Sequence, residues 1–254
     1  SYAEFELTPH PRVRLVPGVR LDYARATERW DANPRFNARF TVIDEFPKTT
    51  LKAGAGLYSQ PPQFQEAVPP FGTEGLLSNR AVHFGFGVEQ DITKQIDISV
   101  EGFYKLLDQQ VVPNADRSSS LSTYTNDGQG YVAGAEVLLK YKPDKRFFGW
   151  VAYTLSRSVR QNGPNEDEFL VRFDQPHILT VLGSYRFDGG WEAGARFRLV
   201  SGGLQTPNVC NSQVDDCDAT RINSLYHGAS GVYTAIPFGA VSSERLPLFH
   251  ALDV

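Results

Sequence analysis

The stretch Gly130–Val159, GYVAGAEVLLKYKPDKRFFGWVAYTLSRSV, decides the fold. From Tyr131 to Tyr141 every second residue is apolar or aromatic (Tyr131, Ala133, Ala135, Val137, Leu139, Tyr141), and the set between them includes Glu136 and Lys140. A repeat of two is the side-chain period of a β-strand, so the two faces of this strand meet different surroundings. The apolar ladder begins and ends in tyrosine. Its ten rises of about 3.3 Å cover about 33 Å of strand. A tilt of about 40° projects this onto about 25 Å, the height of the apolar band of an outer-membrane barrel between its aromatic girdles. Pro143-Asp144-Lys145-Arg146 turns the chain, and Phe147, Gly149, Val151, Tyr153 and Leu155 then run back opposite Ala152, Thr154, Ser156 and Ser158.

The same alternation extends in both directions. Val13 to Tyr23 sets Leu15, Val19 and Leu21 against Arg12, Arg14, Arg20 and Asp22; Phe36, Ala38, Phe40 and Val42 oppose Arg35, Asn37 and Arg39. Leu51, Ala53, Ala55 and Leu57 follow, then Val82, Phe84, Phe86 and Val88, then Ile96 to Leu106 with Asp97, Ser99, Glu101 and Lys105 on its other side. Beyond the opening pair come Leu179 to Phe187, an Asp188-Gly189-Gly190 hairpin turn, and Trp191 to Leu199 opposed by Glu192, Arg196 and Arg198. Leu248 to Val254 begins one more strand. The reading is about twelve strands plus the beginning of a thirteenth. Connections alternate between short turns near residues 9, 46, 94, 144 and 189 and long loops near 29, 70, 121, 165 and 225. The long loop 60–80 carries Pro61, Pro62, Pro69 and Pro70 and is read as neither helix nor central strand. Short turns on one side and long loops on the other are the pattern of an outer-membrane barrel. A soluble sandwich would instead bury its strand faces in a dense aliphatic core, whereas these apolar faces are rich in Ala, Gly and aromatic residues.

The 254 residues include 22 Gly and 16 Pro, 12% aromatic residues and no Met, and no run of eighteen apolar residues suggests a helical membrane span. The net charge of −4 removes the electrostatic footprint of a nucleic-acid binder, so no nucleic acid is expected as a partner. Negative mean hydropathy (−0.32) does not exclude a barrel, because each strand carries polar residues on its second face.

Several motifs in chain order resemble the barrel of TonB-dependent outer-membrane receptors. They are Val16 to Tyr23 (VPGVRLDY), Asn33-Pro34-Arg35, Leu51 to Gln63 (LKAGAGLYSQPPQ), Ser99 to Lys105 (SVEGFYK), Gly134-Ala135-Glu136, Phe173 to His177 (FDQPH), Phe197 to Pro207 (FRLVSGGLQTP) and Leu246 to Val254. The resemblance covers most of the chain. It implies an all-β fold: an antiparallel transmembrane β-barrel, here a partial one of about 12–13 strands from a larger 22-stranded, plugged barrel. No plug domain, TonB-binding box or terminal aromatic strand is found in the sequence, so residues 1–254 are expected to be barrel wall with two open edges, which hydrocarbon does not tolerate. The implied parent protein sits in the bacterial outer membrane and performs energy-coupled uptake of a scarce ligand such as a siderophore, vitamin, glycan or peptide. The implied partners are outer-membrane lipid, a small-molecule or peptide ligand at the extracellular loops, and TonB acting through the plug.

The chemistry expected of such a wall is not catalytic. The five histidines are scattered over inferred turns, strands and loops and are read as structural. No nucleophile elbow is present, and Gly128-Gln129-Gly130 fails the dinucleotide fingerprint in spacing. Neither cofactor nor metal site is expected, and the Asp215, Asp216, Asp218 cluster reads as a solvated loop tip. The charges opposite the apolar ladders, Arg14, Arg20, Arg35, Arg39, Glu101, Glu136, Arg196 and Arg198, are lumen-facing candidates. They would line a wet interior, pairing with one another or with a plug, or the arginines would guide an anionic ligand. Cys210 and Cys217 would close a small disulfide loop in an oxidising compartment. Two other readings remain open at this point: a passive porin-like channel and a surface-exposed structural or adhesive β protein.

Overall fold

The computed structural model describes residues 1–114, 123–207 and 240–254, together with strand backbone at 225–227 and 232–234. In chain order the strands are β1 (Tyr2–Glu4), β2 (Leu7–His10), β3 (Val13–Ala24), β4 (Arg29–Ile43), β5 (Thr49–Gln60), β6 (Asn79–Asp91), β7 (Ile96–Pro113), β8 (Tyr124–Tyr141) and β9 (Phe147–Gln161). They continue with β10 (Phe169–Leu170), β11 (His177–Arg186), β12 (Glu192–Val200), β13 (Leu204–Gln205), β14 (Leu225–His227), β15 (Val232–Thr234), β16 (Glu244–Arg245) and β17 (Phe249–Asp253). One antiparallel sheet of 13 strand segments follows the order β1-β3-β4-β5-β6-β7-β8-β9-β11-β12-β17, with β2 beside β3 and β10 beside β9. Every neighbour on that path except the last is the next long strand in sequence, the up-and-down order in which a barrel wall is laid. The sheet does not close: β1 and β17 are its edges.

The expected alternation sets the faces of the sheet. Register pairs Val100 with Val88 and Val137, and Ser99 with Glu89 and Leu138, so the period of two is in phase from strand to strand. One face carries Val19, Leu21, Phe36, Phe40, Phe84, Phe86, Val100, Tyr104, Leu106, Leu139 and Leu155, all exposed. No large side chain is fully buried among the described residues. The solvent-accessible surface is 17256 Å², whereas a compact globular protein of this mass would present about 11,000 Å². The apolar face therefore has no second sheet against it, and the dry core that a soluble sandwich requires is not built.

Aromatic rings bracket that face. Near the short turns, Tyr141 meets Phe147 edge-on at 5.0 Å and Tyr185 meets Phe187 at 4.8 Å; toward the loops, Tyr104 and Tyr131 stack at 6.0 Å and Tyr23 and Trp30 lie 5.1 Å apart.

Two loop expectations differ from the structure. The long loop near residue 29 is a four-residue turn, 25–28, because β3 and β4 continue outward in register as far as Ala24 and Arg29. The proline-rich loop after β5 holds one helical turn, α1 (Phe64–Ala67), before its prolines resume. Glu66 accepts from the Gln63 amide at 2.8 Å at its N-terminus, which satisfies a donor that the turn leaves free. The expected Cys210–Cys217 disulfide and the Asp215, Asp216, Asp218 cluster lie outside the described residues.

The short turn 142–146 shows how the sequence fixes a connection. Asp144 Oδ1 accepts from the backbone N–H groups of Phe147 (2.6 Å) and Arg146 (2.7 Å), and Oδ2 accepts from the Tyr141 hydroxyl at 2.8 Å. These donors, the Phe147 amide foremost, favour the ionised carboxylate and hold its pKa below the usual range. A depressed folded pKa stabilises the turn above the unfolded value of about 3.9 and loses that contribution as pH falls through the folded one. The resistance of the folded protein to urea in vesicles should therefore decline below about pH 4. Asp144→Asn should lower resistance at neutral pH and flatten that decline. An unchanged acid profile in Asp144→Asn would show that the turn contributes nothing to it.

Candidate functional site

The face opposite the apolar ladders is built from the alternate residues of each strand. Successive register pairs link Arg14 with Arg39, Arg20 with Asn33, Arg35 with Gly56, Arg39 with Lys52, Glu101 with Glu136, and Arg198 with Thr180. All eight charged residues singled out in the sequence, Arg14, Arg20, Arg35, Arg39, Glu101, Glu136, Arg196 and Arg198, lie on this one face by that register.

Their partners are residues that sequence reading did not select. Arg14 donates to Glu6 at 2.7 Å, Arg20 to Asp22 at 2.7 Å, Arg35 to Glu4 at 2.5 Å, Arg39 to Glu89 at 2.9 Å and Arg196 to Asp253 at 2.7 Å. Lys52 is ion-paired with Glu101 and also reaches Ser99 Oγ at 3.2 Å. Among the described residues Glu136 and Arg198 make no ion pair. Two of these pairs span an intervening strand through a glycine. Gly87 stands in register between Lys52 and Glu101, and Gly18 between Arg35 and Glu4. A Cβ at position 87 would lie 2.6 Å from Glu101 Cγ, and one at position 18 would lie 3.2 Å from Arg35 Nε. A missing side chain in the ladder is what lets long side chains on either side of it meet. Lys52, Glu89, Asp97, Ser99, Glu101 and Glu136 line a recess of about 320 Å³ on this face.

Above the apolar band the strands continue as ribbons that hold the loops. Asn126 clamps the loop after β5: its side-chain oxygen accepts from the Leu77 amide at 2.8 Å, and its nitrogen donates to the Leu77 and Gln109 carbonyls at 2.9 Å each. Ser78 donates to Asp31 at 2.6 Å, and the Tyr124 amide donates to Thr73 Oγ1 at 2.9 Å. Within this loop Ala67 and Leu76 are themselves buried.

The FDQPH motif has a second anchoring role. Asp174, 3% exposed, accepts from the Ser158 amide at 2.8 Å and from Arg245 at 2.7 Å. Arg245 also donates to the carbonyls of Asp174 (2.6 Å) and Gly202 (2.8 Å). This joins the top of β9 to the segment entering β11 and to β16. Of the histidines, His177 shares a 2.7 Å hydrogen bond with the Tyr153 hydroxyl, His83 stacks on Tyr58 at 4.3 Å, and His10 accepts from the Arg12 amide at 3.2 Å. Each is explained by a neighbour in the fold. The arrangement is a wall with an apolar side, a charged side and braced loops at one rim.

A family model described as TonB dependent receptor-like, beta-barrel matches residues 1–229. The chain belongs to this family. Its members are receptors and transporters of the Gram-negative outer membrane rather than enzymes, and that is where this chain resides. No curated protein matches it. Among solved structures, the ferric-catecholate import receptor Fiu of E. coli superposes with a TM-score of 0.64 at 16% identity, covering 80% of this chain and 34% of that one. The FrpB iron transporter of Neisseria meningitidis gives 0.60 at 17%, covering 80% and 33%. The ferripyoverdine receptor of Pseudomonas aeruginosa gives 0.64 at 11%, covering 99% and 31%. The chain spans about a third of the length of each of these TonB-dependent receptor structures.

Proposed function

We propose that this chain is the lipid-embedded wall of a larger receptor that takes up a scarce ligand by an energy-coupled route. The observation that carries the reading is the two-faced sheet: an exposed apolar face bracketed by aromatic rings at both ends and, behind it, a face crowded with ion pairs. An exposed apolar face of that height is stable only in hydrocarbon, and the charged face is stable only beside water or a polar filling. The eight charged candidates then line the lumen, where their pairing stiffens the wall and leaves Glu136 and Arg198 for a plug or a passing ligand. The braced loops after β5 and around Asp174 form the capture side, and TonB acts through a plug.

The ligand class favoured is a metal chelate. Similar structures are named as receptors or transporters for ferric catecholate, ferric enterobactin, ferripyoverdine and copper. Vitamin, glycan and peptide ligands are the alternatives. The test is uptake of radiolabelled iron chelates and of copper by cells expressing the full-length protein, with and without a functional TonB. Accumulation that needs both the protein and TonB supports the reading. Flux that persists without TonB would make the protein a passive channel instead.

A further inference from the structure

On the apolar face, at the loop-side end of β8 and β9, lies a groove of about 520 Å³. It is lined by the small residues Ala133, Gly134, Ala135 and Ser156 and by Leu155, Leu170, Pro176 and Asp174. The ladder alternation puts Ala133, Ala135, Leu155 and Arg157 on the same outward side of the sheet. Small residues flanked by larger ones make a furrow, and this one is chiefly apolar.

Two guanidinium groups border it. The charge of Arg245 is already matched by Asp174, and its donors are occupied by two carbonyls. Arg157 has no ion pair or hydrogen bond among the described residues and is exposed. Its height is informative. Arg157 pairs in register with Ala133, and the next outward-facing pair, Tyr131 with Val159, ends the β8 ladder. It is thus placed at the loop-side end of the apolar band, where a bilayer changes from acyl chain to headgroup and where an arginine can keep its charge in polar surroundings.

We propose that this groove is a specific site for one anionic lipid of the loop-side leaflet, with an acyl chain lying over Ala133 and Ala135 and the phosphate paired to Arg157. The inference rests on the lipid-facing reading of this face. A planar guanidinium recognises phosphate through two parallel hydrogen bonds, and the furrow beneath it supplies the apolar contact that a free phosphate ion could not use. The chemistry selected is therefore a phosphate attached to a chain.

The test is native mass spectrometry of the full-length protein in non-ionic detergent, offered phosphatidylglycerol or phosphatidylcholine with identical acyl chains. The wild type should retain phosphatidylglycerol at least about fivefold over phosphatidylcholine, a difference of about 1 kcal/mol. Arg157→Ala should abolish the preference, Arg157→Lys should restore part of it, and Ala133→Phe, which fills the furrow, should reduce retention of both lipids. Arg80→Ala removes an arginine of the same face that is already paired with Asp108, and it should leave the preference intact. Equal preference in wild type and Arg157→Ala, or full retention in a folded Ala133→Phe, would overturn the site. A wild type that retains neither lipid and stays dispersed without detergent would overturn the lipid-facing reading itself.

Discussion

Val100→Arg is expected to cost about 2–4 kcal/mol of folding stability in a bilayer, whereas Ser99→Arg, one position earlier on the same strand, should cost much less. The two sites share β7, the same hydrogen-bonded neighbours and nearly the same distance from the turn; they differ in face. Val100 is 43% exposed beside Val88 and Val137, midway along the apolar ladder that starts at Ile96 and ends at Leu106. An arginine there must carry its charge into hydrocarbon or distort the bilayer to avoid doing so. At Ser99 it would enter the charged face, where Glu89 lies directly opposite in register and Glu101 is on the same strand. Urea unfolding of the full-length protein in phosphatidylcholine vesicles reads both costs. Equal destabilisation by the two substitutions would mean that the faces do not differ in what they touch.

Asp174→Ala should destabilise the folded protein by about 2–4 kcal/mol. The carboxylate is 3% exposed and holds a backbone donor of β9 and the guanidinium of Arg245. Removing it leaves the Ser158 amide without its acceptor and Arg245 without its counter-charge, and the guanidinium is about one-third exposed, which softens the loss. Asp174→Asn should be milder, since its side-chain oxygen can still accept from Ser158. Because Arg245 joins β16 to the segment entering β11, Asp174→Ala should also speed hydrogen exchange at the amides of Ser158, Leu204 and Leu246. A variant with wild-type exchange and stability would show that the motif is kept for something other than bracing.

The legibility of this chain in its sequence divides by physical range. The faces of β7, β8 and β9 are readable because alternation is a local property, repeated over eleven residues from Tyr131 to Tyr141 and visible without knowing any neighbouring strand. The sign of each face is also local, and for that reason all eight charged candidates fall on one side. The partners are not local. Lys52 meets Glu101 across Gly87, and Arg35 meets Glu4 across Gly18. Finding either pair requires the register of three strands, which no periodicity supplies. A glycine in the polar phase of a strand, flanked in the neighbouring strands by opposite charges, is the signal that was present and unused.

The outer ends of the strands were missed for a different reason. Beyond the apolar ladders the alternation fades, so Arg29, Asp31 and Asn33 in β4 read as part of a long loop although they are extended and paired. The Asp174–Arg245 anchor joins residues 71 apart, and only Asp174 belongs to a motif legible in the sequence.

The most direct test of a sheet with hydrocarbon on one side and water on the other is spin-label accessibility along β8. In the full-length protein, with Cys210 and Cys217 replaced by Ser, single labels would be placed at successive positions from Tyr131 to Tyr141 in lipid vesicles. Collision with oxygen should peak at Ala133, Ala135, Val137 and Leu139, and collision with a water-soluble nickel complex should peak at the positions between them. Accessibility that rises and falls without a two-residue period, or labels at Ala135 and Val137 shielded from both reagents, would contradict the account.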